Sequence, residues 1–145
     1  GEEVSSADIN LEGGLGLWDD LVIRKAEGEL DYAMCANSTN ALGCLAASES
    51  AGRTDYKVFG IDDEADQLAA LTKENSIYYA TVAQNPFEIG VQTIEAAVHA
   101  VEGQDDGIVK VDGILVTRDT VQEYMANREK SLEELKDYLA IITAS

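Results

Sequence analysis

Short apolar runs alternate with segments of helical spacing along this chain, and this alternation constrains the fold more than any other feature. Runs rich in β-branched or aromatic residues predict strands at 31–35, 56–60, 78–83 and 108–116, with a weaker one at 4–7. The segments between them predict helices at 14–25, 40–50, 63–74, 86–101 and 118–142. Such alternation is typical of βαβ units. It predicts an α/β fold in three layers, with a parallel sheet and helices on both of its faces.

Two helical segments carry further signals. Pro86 begins one of them, and its apolar residues share one helix face: Phe87, Val91, Ile94, Val98 and Val101. In the last segment, Ser131 followed by Glu134 forms a capping-box pattern, which predicts a break near Lys130.

Composition excludes several classes of function. The chain has 10 basic and 28 acidic residues and a net charge of -18, which disfavours nucleic acid and anionic membranes as partners. It has one histidine and two cysteines, too few for common metal sites or a disulfide framework. The single histidine also makes a His-based catalytic triad hard to assemble. We expect no catalysis, no cofactor and no metal. The acidic residues at 62–66 are interpreted as a solvated helix start, and the glycines at 13–16 as a flexible one.

A short polar side chain follows each of three predicted strands. Asn37 comes after the run 33–36, Asp62 after 58–61 and Gln84 after 80–83. Ligands of open parallel sheets bind beyond the carboxyl ends of the strands, so these side chains are candidates for one binding site. Amides and carboxylates together offer the donors and acceptors that a polyol needs. The alternative is that they are ordinary helix caps and turn residues.

Four segments around these positions resemble one family of proteins. They are YAMCANSTNALG at 32–43, AGRTDYKVFGID at 51–62, IYYATVAQNP at 77–86 and GILVTRDTV at 113–121. In this order and spacing they are similar to the C-terminal half of type I periplasmic binding proteins, the ribose/galactose-type sugar-binding proteins of bacterial ABC transporters. The resemblance covers about residues 4–124 and implies a Rossmann-like lobe that is incomplete or swapped.

The resemblance also implies roles for individual residues. Asn37, Asp62 and Gln84 match the positions that contact sugar hydroxyls, and Ile9 matches a position that often holds an aromatic stacked on the sugar ring. The family has a hinge at Gln84 and the next residue. Asp63 replaces a residue that is usually small, which predicts an altered rim of the site.

The resemblance finally implies an organisation and partners. We expect a sugar-binding lobe over 1–124, in which 85–107 is a hinge and cross-lobe helix, and a helical extension over 125–145. The lobe would be completed by the missing N-terminal lobe or by self-association with a second copy. Its other partners would be a small sugar or polyol and an ABC permease, in an extracytoplasmic location (periplasmic or as a cell-surface lipoprotein). The alternatives are a ligand-sensing domain of a receptor or LacI-type regulator and, on topology alone, a flavodoxin-like enzyme.

Overall fold

The computed structural model describes residues 2–5, 8 and 10–143, with side chains up to Lys136. In this part of the chain, helices and strands alternate as predicted. The elements are α1 (Leu11–Arg24), β1 (Tyr32–Met34), α2 (Ser38–Ser50), β2 (Lys57–Ile61), α3 (Ala65–Thr72), β3 (Tyr78–Ala83), α4 (Pro86–Val101), β4 (Ile114–Thr117) and α5 (Val121–Thr143). None of the helices described is both long and apolar enough to cross a bilayer.

The sheet has the strand order β1-β2-β3-β4 and is mixed rather than wholly parallel. β1, β2 and β3 are parallel, but β4 runs antiparallel to β3, with Val82 opposite Leu115. The difference comes from α4. A parallel connection needs a crossover that packs back on the sheet. No residue of α4 is buried, and the chain re-enters the sheet from the end at which β3 stops.

The described helices other than α4 share a single core with one face of the sheet. Alternate strand residues point into this core, as Ala33 and Val58 do. Among the described residues, the prediction of helices on both faces therefore holds for one face of the sheet only. On the other face the following apolar side chains are exposed: Tyr32, Met34, Ile61, Tyr79, Val82 and Leu115.

α1 and α2 pack on each other through glycines. Gly14 and Gly43 are both buried, and a Cβ on Gly43 would lie 2.6 Å from the Gly14 carbonyl carbon. The predicted flexible start at 13–16 is therefore wrong. These glycines lie inside α1, whose N-cap is Asn10, with the Asn10 Oδ1 accepting from the Gly13 N–H at 2.8 Å. Trp18, Leu21 and Val22 from the same helix are in the core.

Several predicted boundaries differ from the structure. The predicted strand at 108–116 begins only at Ile114, because the preceding residues have no strand partner and Ile108 is 90% exposed. α5 is continuous through Ser131, whose hydroxyl donates to the Asn127 carbonyl one turn earlier instead of capping a new helix. In the predicted strand 4–7, Val4 and Ser5 are not in a strand, and 6–7 lie outside the described residues.

Candidate ligand-binding site

The structure brings the three predicted strand-end residues to one edge of the sheet. Asn37, Asp62 and Gln84 follow β1, β2 and β3, which are parallel and so end at the same side. Asp62 is hydrogen-bonded to Gln84 and to Ser38, the residue that follows Asn37. Its Oδ2 accepts from the Ser38 N–H at 3.0 Å, and its Oδ1 accepts a short hydrogen bond from the Gln84 side-chain amide. We refer to Asn37, Asp62 and Gln84 as the rim.

Asn37 is both a rim residue and the N-cap of α2. Its backbone is extended, with φ at -158°, and its Oδ1 accepts from the Asn40 N–H at 2.9 Å. The same oxygen accepts from the Thr39 hydroxyl and the Asn40 side-chain amide. The capping alternative is therefore correct for this oxygen. The Asn37 Nδ2 donates to none of the described residues.

Asp62 has an unusual backbone. Its φ of 79° is in the left-handed region, which side chains other than glycine adopt only when neighbours hold them there. The Thr81 hydroxyl donates to the Asp62 carbonyl at 2.7 Å, and the Asp62 N–H donates to the Val82 carbonyl at 3.0 Å. These two contacts from β3 fix the direction in which the Asp62 carboxylate leaves the sheet.

Gln67 supports the same loop from inside the core. This buried side chain donates from Nε2 to the Ile61 carbonyl at 2.9 Å, and its Oε1 accepts from the Glu64 N–H at 3.1 Å. Its Nε2 also contacts the hydroxyl of Tyr78 at 2.9 Å. Burial, the largest cause, raises the pKa of that Tyr78 hydroxyl, which keeps it neutral at physiological pH. The loop 61–64 is thus held by hydrogen bonds on both of its ends.

We predict that Gly60→Ala loosens this support. A Cβ on Gly60 would overlap the Tyr78 hydroxyl and lie 3.2 Å from Gln67 Nε2. We expect a loss of about 2 kcal/mol in the free energy of unfolding, measured by urea denaturation. In a Tyr78→Phe background the overlapping atom is gone, so the same substitution should cost clearly less. Equal costs in both backgrounds would contradict this account.

Gln84 lies where the chain leaves the sheet. The next residue, Asn85, has φ at 56°, and Pro86 begins α4 directly after it. The left-handed backbone of Asn85 turns the chain away from the direction of β3 directly before α4 begins. This turn coincides with the hinge that the family resemblance implies, which stays a prediction.

The rim is an open surface. Four cavities in the described part of the chain are lined by residues other than Asn37, Asp62 and Gln84. One of them, of about 800 Å³, is lined by β1 and by Trp18 and Leu21 of α1. The fourth predicted ligand contact, Ile9, lies outside the described residues. Within those residues, no group of three or more His, Cys, Asp or Glu side chains is arranged to hold a metal ion.

Sequence reasoning missed the residues that hold the rim in place. Ser38 contributes its backbone N–H and Thr81 its hydroxyl, and neither type of contact has a sequence signature. Asp63 was interpreted as part of a solvated acidic helix start and as a departure from a family pattern. In the structure its carboxylate accepts from the hydroxyl of Tyr124, 61 positions later in the chain.

Comparison with known proteins identifies the family. The family model described as a periplasmic binding protein domain matches residues 12–105. The chain belongs to this family. It is 32% identical over 98 residues to the ribose import binding protein RbsB of Salmonella typhimurium, a match that covers 68% of this chain and 32% of that protein. The corresponding protein of Escherichia coli is 31% identical over 98 residues.

Solved structures of the family share the fold. An ABC transporter solute binding protein from Agrobacterium vitis with bound allitol superposes with a TM-score of 0.78 at 23% identity, covering 87% of this chain and 44% of that one. One from Bacillus halodurans with bound myo-inositol gives a TM-score of 0.69 at 30% identity, covering 83% and 41%. The chain thus spans about a third of the length of its RbsB relatives and less than half of these solved chains.

Proposed function

We propose that this chain provides one ligand-contacting lobe of the solute-binding component of a bacterial ABC-type sugar importer. It would bind a small sugar or polyol without chemical change and deliver it, with the rest of that component, to a permease in the membrane. The RbsB relatives and the family support an extracytoplasmic location for this role. The structural neighbours with bound allitol and myo-inositol support a polyhydroxylated ligand.

The observation that carries the proposal is the arrangement of the rim. The donor on Asn37, the carboxylate of Asp62 and the amide of Gln84 lie on one edge of the sheet. Asp62 is hydrogen-bonded to Gln84 and to the backbone of Ser38, the residue after Asn37. A sugar hydroxyl donates one hydrogen bond and accepts others, so it pairs with both kinds of group. Because Asp62 is held by Thr81 and Ser38, the rim is organised before a ligand arrives, which lowers the entropic cost of binding.

The open rim supports a second part of the proposal. A ligand on this surface is covered on one side only, so we propose that a second lobe supplies the remaining contacts. The apolar face of α4 is exposed and is the surface we assign to that lobe, with a second copy of this chain as the alternative occupant. The exposed side chains are Phe87, Val91, Ile94, Val98 and Val101.

A second candidate function is a ligand-sensing domain of a receptor or regulator. The feature that favours it is α5, which extends for 23 residues beyond β4 and contacts the loop beside Asp62. A sensor needs an element that is joined to the binding site and leads away from it, and α5 has that placement. Finding α5 joined to a signalling module in the full-length protein would favour the sensor over the importer.

We predict weak binding of polyols by the chain itself. With half of a cleft, we expect a Kd on the order of 10 mM for the best of ribose, allitol and myo-inositol. Titration of the ¹⁵N-labelled chain should shift the amide resonances of Ser38, Asp62 and Gln84. Absence of any shift at these positions at about 100 mM of each compound would overturn the assignment of the site.

A matched pair of variants tests the role of Asn37. Serine is also a good N-cap, so Asn37→Ser keeps the cap of α2 while it removes the Nδ2 donor. We expect Asn37→Ser to weaken binding about tenfold, which is the loss of one good hydrogen bond. Asn75→Ser, the same change in an exposed turn at the opposite end of the sheet, should leave the Kd unchanged.

A further inference from the structure

The loop beside the rim carries a second carboxylate that faces the other way. Asp63 Oδ2 accepts from the Tyr124 hydroxyl at 2.7 Å, and the Asp63 carbonyl accepts from Arg128 Nη1 at 3.2 Å. Arg128 Nε also lies 3.4 Å from Asp63 Oδ2. Asp63 is therefore held at its side chain and at its backbone by two residues one helical turn apart on α5. We refer to Asp63, Tyr124 and Arg128 as the clamp.

The helix side of the clamp is well anchored. Val121, in the first turn of α5, is 1% exposed in the core, and α5 packs on α3. Tyr124 is partly buried against the same core. Burial, followed by the hydrogen bond to Asp63, raises the pKa of the Tyr124 hydroxyl, so that it stays protonated and donates. The first two turns of α5 thus form a fixed support for the loop.

The rim side of the clamp is a strained residue. Asp62 precedes Asp63 directly, and its left-handed backbone must be held from both sides to persist. The contacts from Thr81 hold it on the β3 side. The clamp holds the next peptide unit on the α5 side. Two successive carboxylates therefore point to different partners, one to the rim and one to the C-terminal helix.

We propose that Asp63, Tyr124 and Arg128 are positioning residues for the sugar site, which keep the Asp62 carboxylate directed at the ligand. The inference rests on the proposed function. It assigns α5 a role in binding, although α5 supplies no rim residue. Coupling between sites is reciprocal, so bound sugar also strengthens the docking of the first turns of α5.

The first test needs no ligand. Tyr124→Phe removes the hydroxyl and keeps the ring packed. Among the described residues, Ser38 has no hydrogen bond to Tyr124 or Asp63, but its N–H donates to Asp62. We therefore expect Tyr124→Phe and Asp63→Asn to move the Ser38 amide resonance. Tyr32→Phe, the same change at an exposed tyrosine at the end of β1 away from Ser38, should leave it in place. An unmoved Ser38 resonance in both clamp variants overturns the inference.

The second test uses ribose, allitol and myo-inositol as the probes. We expect Tyr124→Phe to raise the Kd of the best of them about fivefold, while the melting temperature stays near that of the parent chain. Hydrogen exchange of the amides at 121–128 should slow when that polyol is bound. An unchanged Kd in a variant whose Ser38 resonance has moved overturns the positioning role. If the parent chain binds none of the three polyols, the proposed function fails, and the Ser38 resonance still decides whether the clamp directs Asp62.

Discussion

Gly43→Ala is expected to lower the free energy of unfolding by about 3 kcal/mol or more, or to prevent folding. A Cβ at this position would lie 2.6 Å from both the Gly14 carbonyl carbon and the Leu15 nitrogen, and 3.1 Å from the Gly14 Cα. These are backbone atoms of α1, so no side chain can move aside. α1 and α2 would have to separate, and the core residues between them, such as Trp18 and Cys44, would lose their packing.

Gly16→Ala is the matched control for this effect. Gly16 is exposed in the middle of α1, and a Cβ there would meet no atom within 4 Å. Alanine favours helix over glycine, so this variant should gain about 0.5–1 kcal/mol. Denaturation in urea, followed by far-ultraviolet circular dichroism, measures both. A Gly43→Ala protein as stable as the parent would mean that α1 and α2 do not cross at these glycines.

Arg53→Met is expected to cost about 3 kcal/mol, because one guanidinium joins two distant segments. Arg53 Nε and Nη2 hold the Asp55 carboxylate at 2.6 and 2.9 Å. Its Nη1 and Nη2 donate to carbonyls at the end of α1, the best at 2.7 Å to Lys25. The Arg53 and Asp55 side chains are only 10% and 14% exposed, so water replaces these contacts poorly.

Arg24→Met is the matched control for Arg53→Met. Arg24 pairs with Asp20 and Glu2, but all three side chains are largely exposed. Surface pairs of this kind contribute little, so Arg24→Met should leave the free energy of unfolding close to that of the parent chain. Similar costs for the two arginine variants would contradict the bridging role of Arg53.

The pH dependence of stability gives an independent check on Arg53. Its guanidinium, and then the Gly28 N–H, hold the pKa of the Asp55 carboxyl well below its usual range. A carboxyl with a lowered folded pKa stabilises fully above its unfolded pKa of about 3.9, and this contribution is lost as the pH falls. The parent chain should therefore lose stability below about pH 5, and Arg53→Met should lose less over the same interval. The difference between the two curves isolates this pair.

The rim was predictable because it depends on local patterns alone. Apolar runs of strand length ended at Asn37, Asp62 and Gln84, and parallel strands must end at one edge of the sheet. The strand at 78–83 and the start of α4 at Pro86 were predicted to the residue for the same reason. Proline in a first helical turn and runs of β-branched residues influence the conformation of only a few residues around them. Their effect can therefore be predicted from the sequence alone.

Two of the misses involve groups that are far apart in the chain. The direction of β4 depends on where α4 packs, and the contact of Gly14 with Gly43 exists only once two helices cross. Tertiary contacts decide both, so local patterns do not predict them. The continuity of α5 at Ser131 is a local choice, because its hydroxyl has two possible partners and donates to the Asn127 carbonyl instead of capping a new helix.

The order of helices and strands, the family and the polar groups at the strand ends all follow from patterns within the chain. Hydrophobic periodicity and turn chemistry involve residues close in sequence, so these patterns can be identified without a structure. The left-handed conformation of Asp62 could not be identified in this way, because it depends on the contact from Thr81 and on Asp63, which Tyr124 holds. That arrangement needs the side chains of three separate elements to meet, and the free energy that favours it arises only from their packing together.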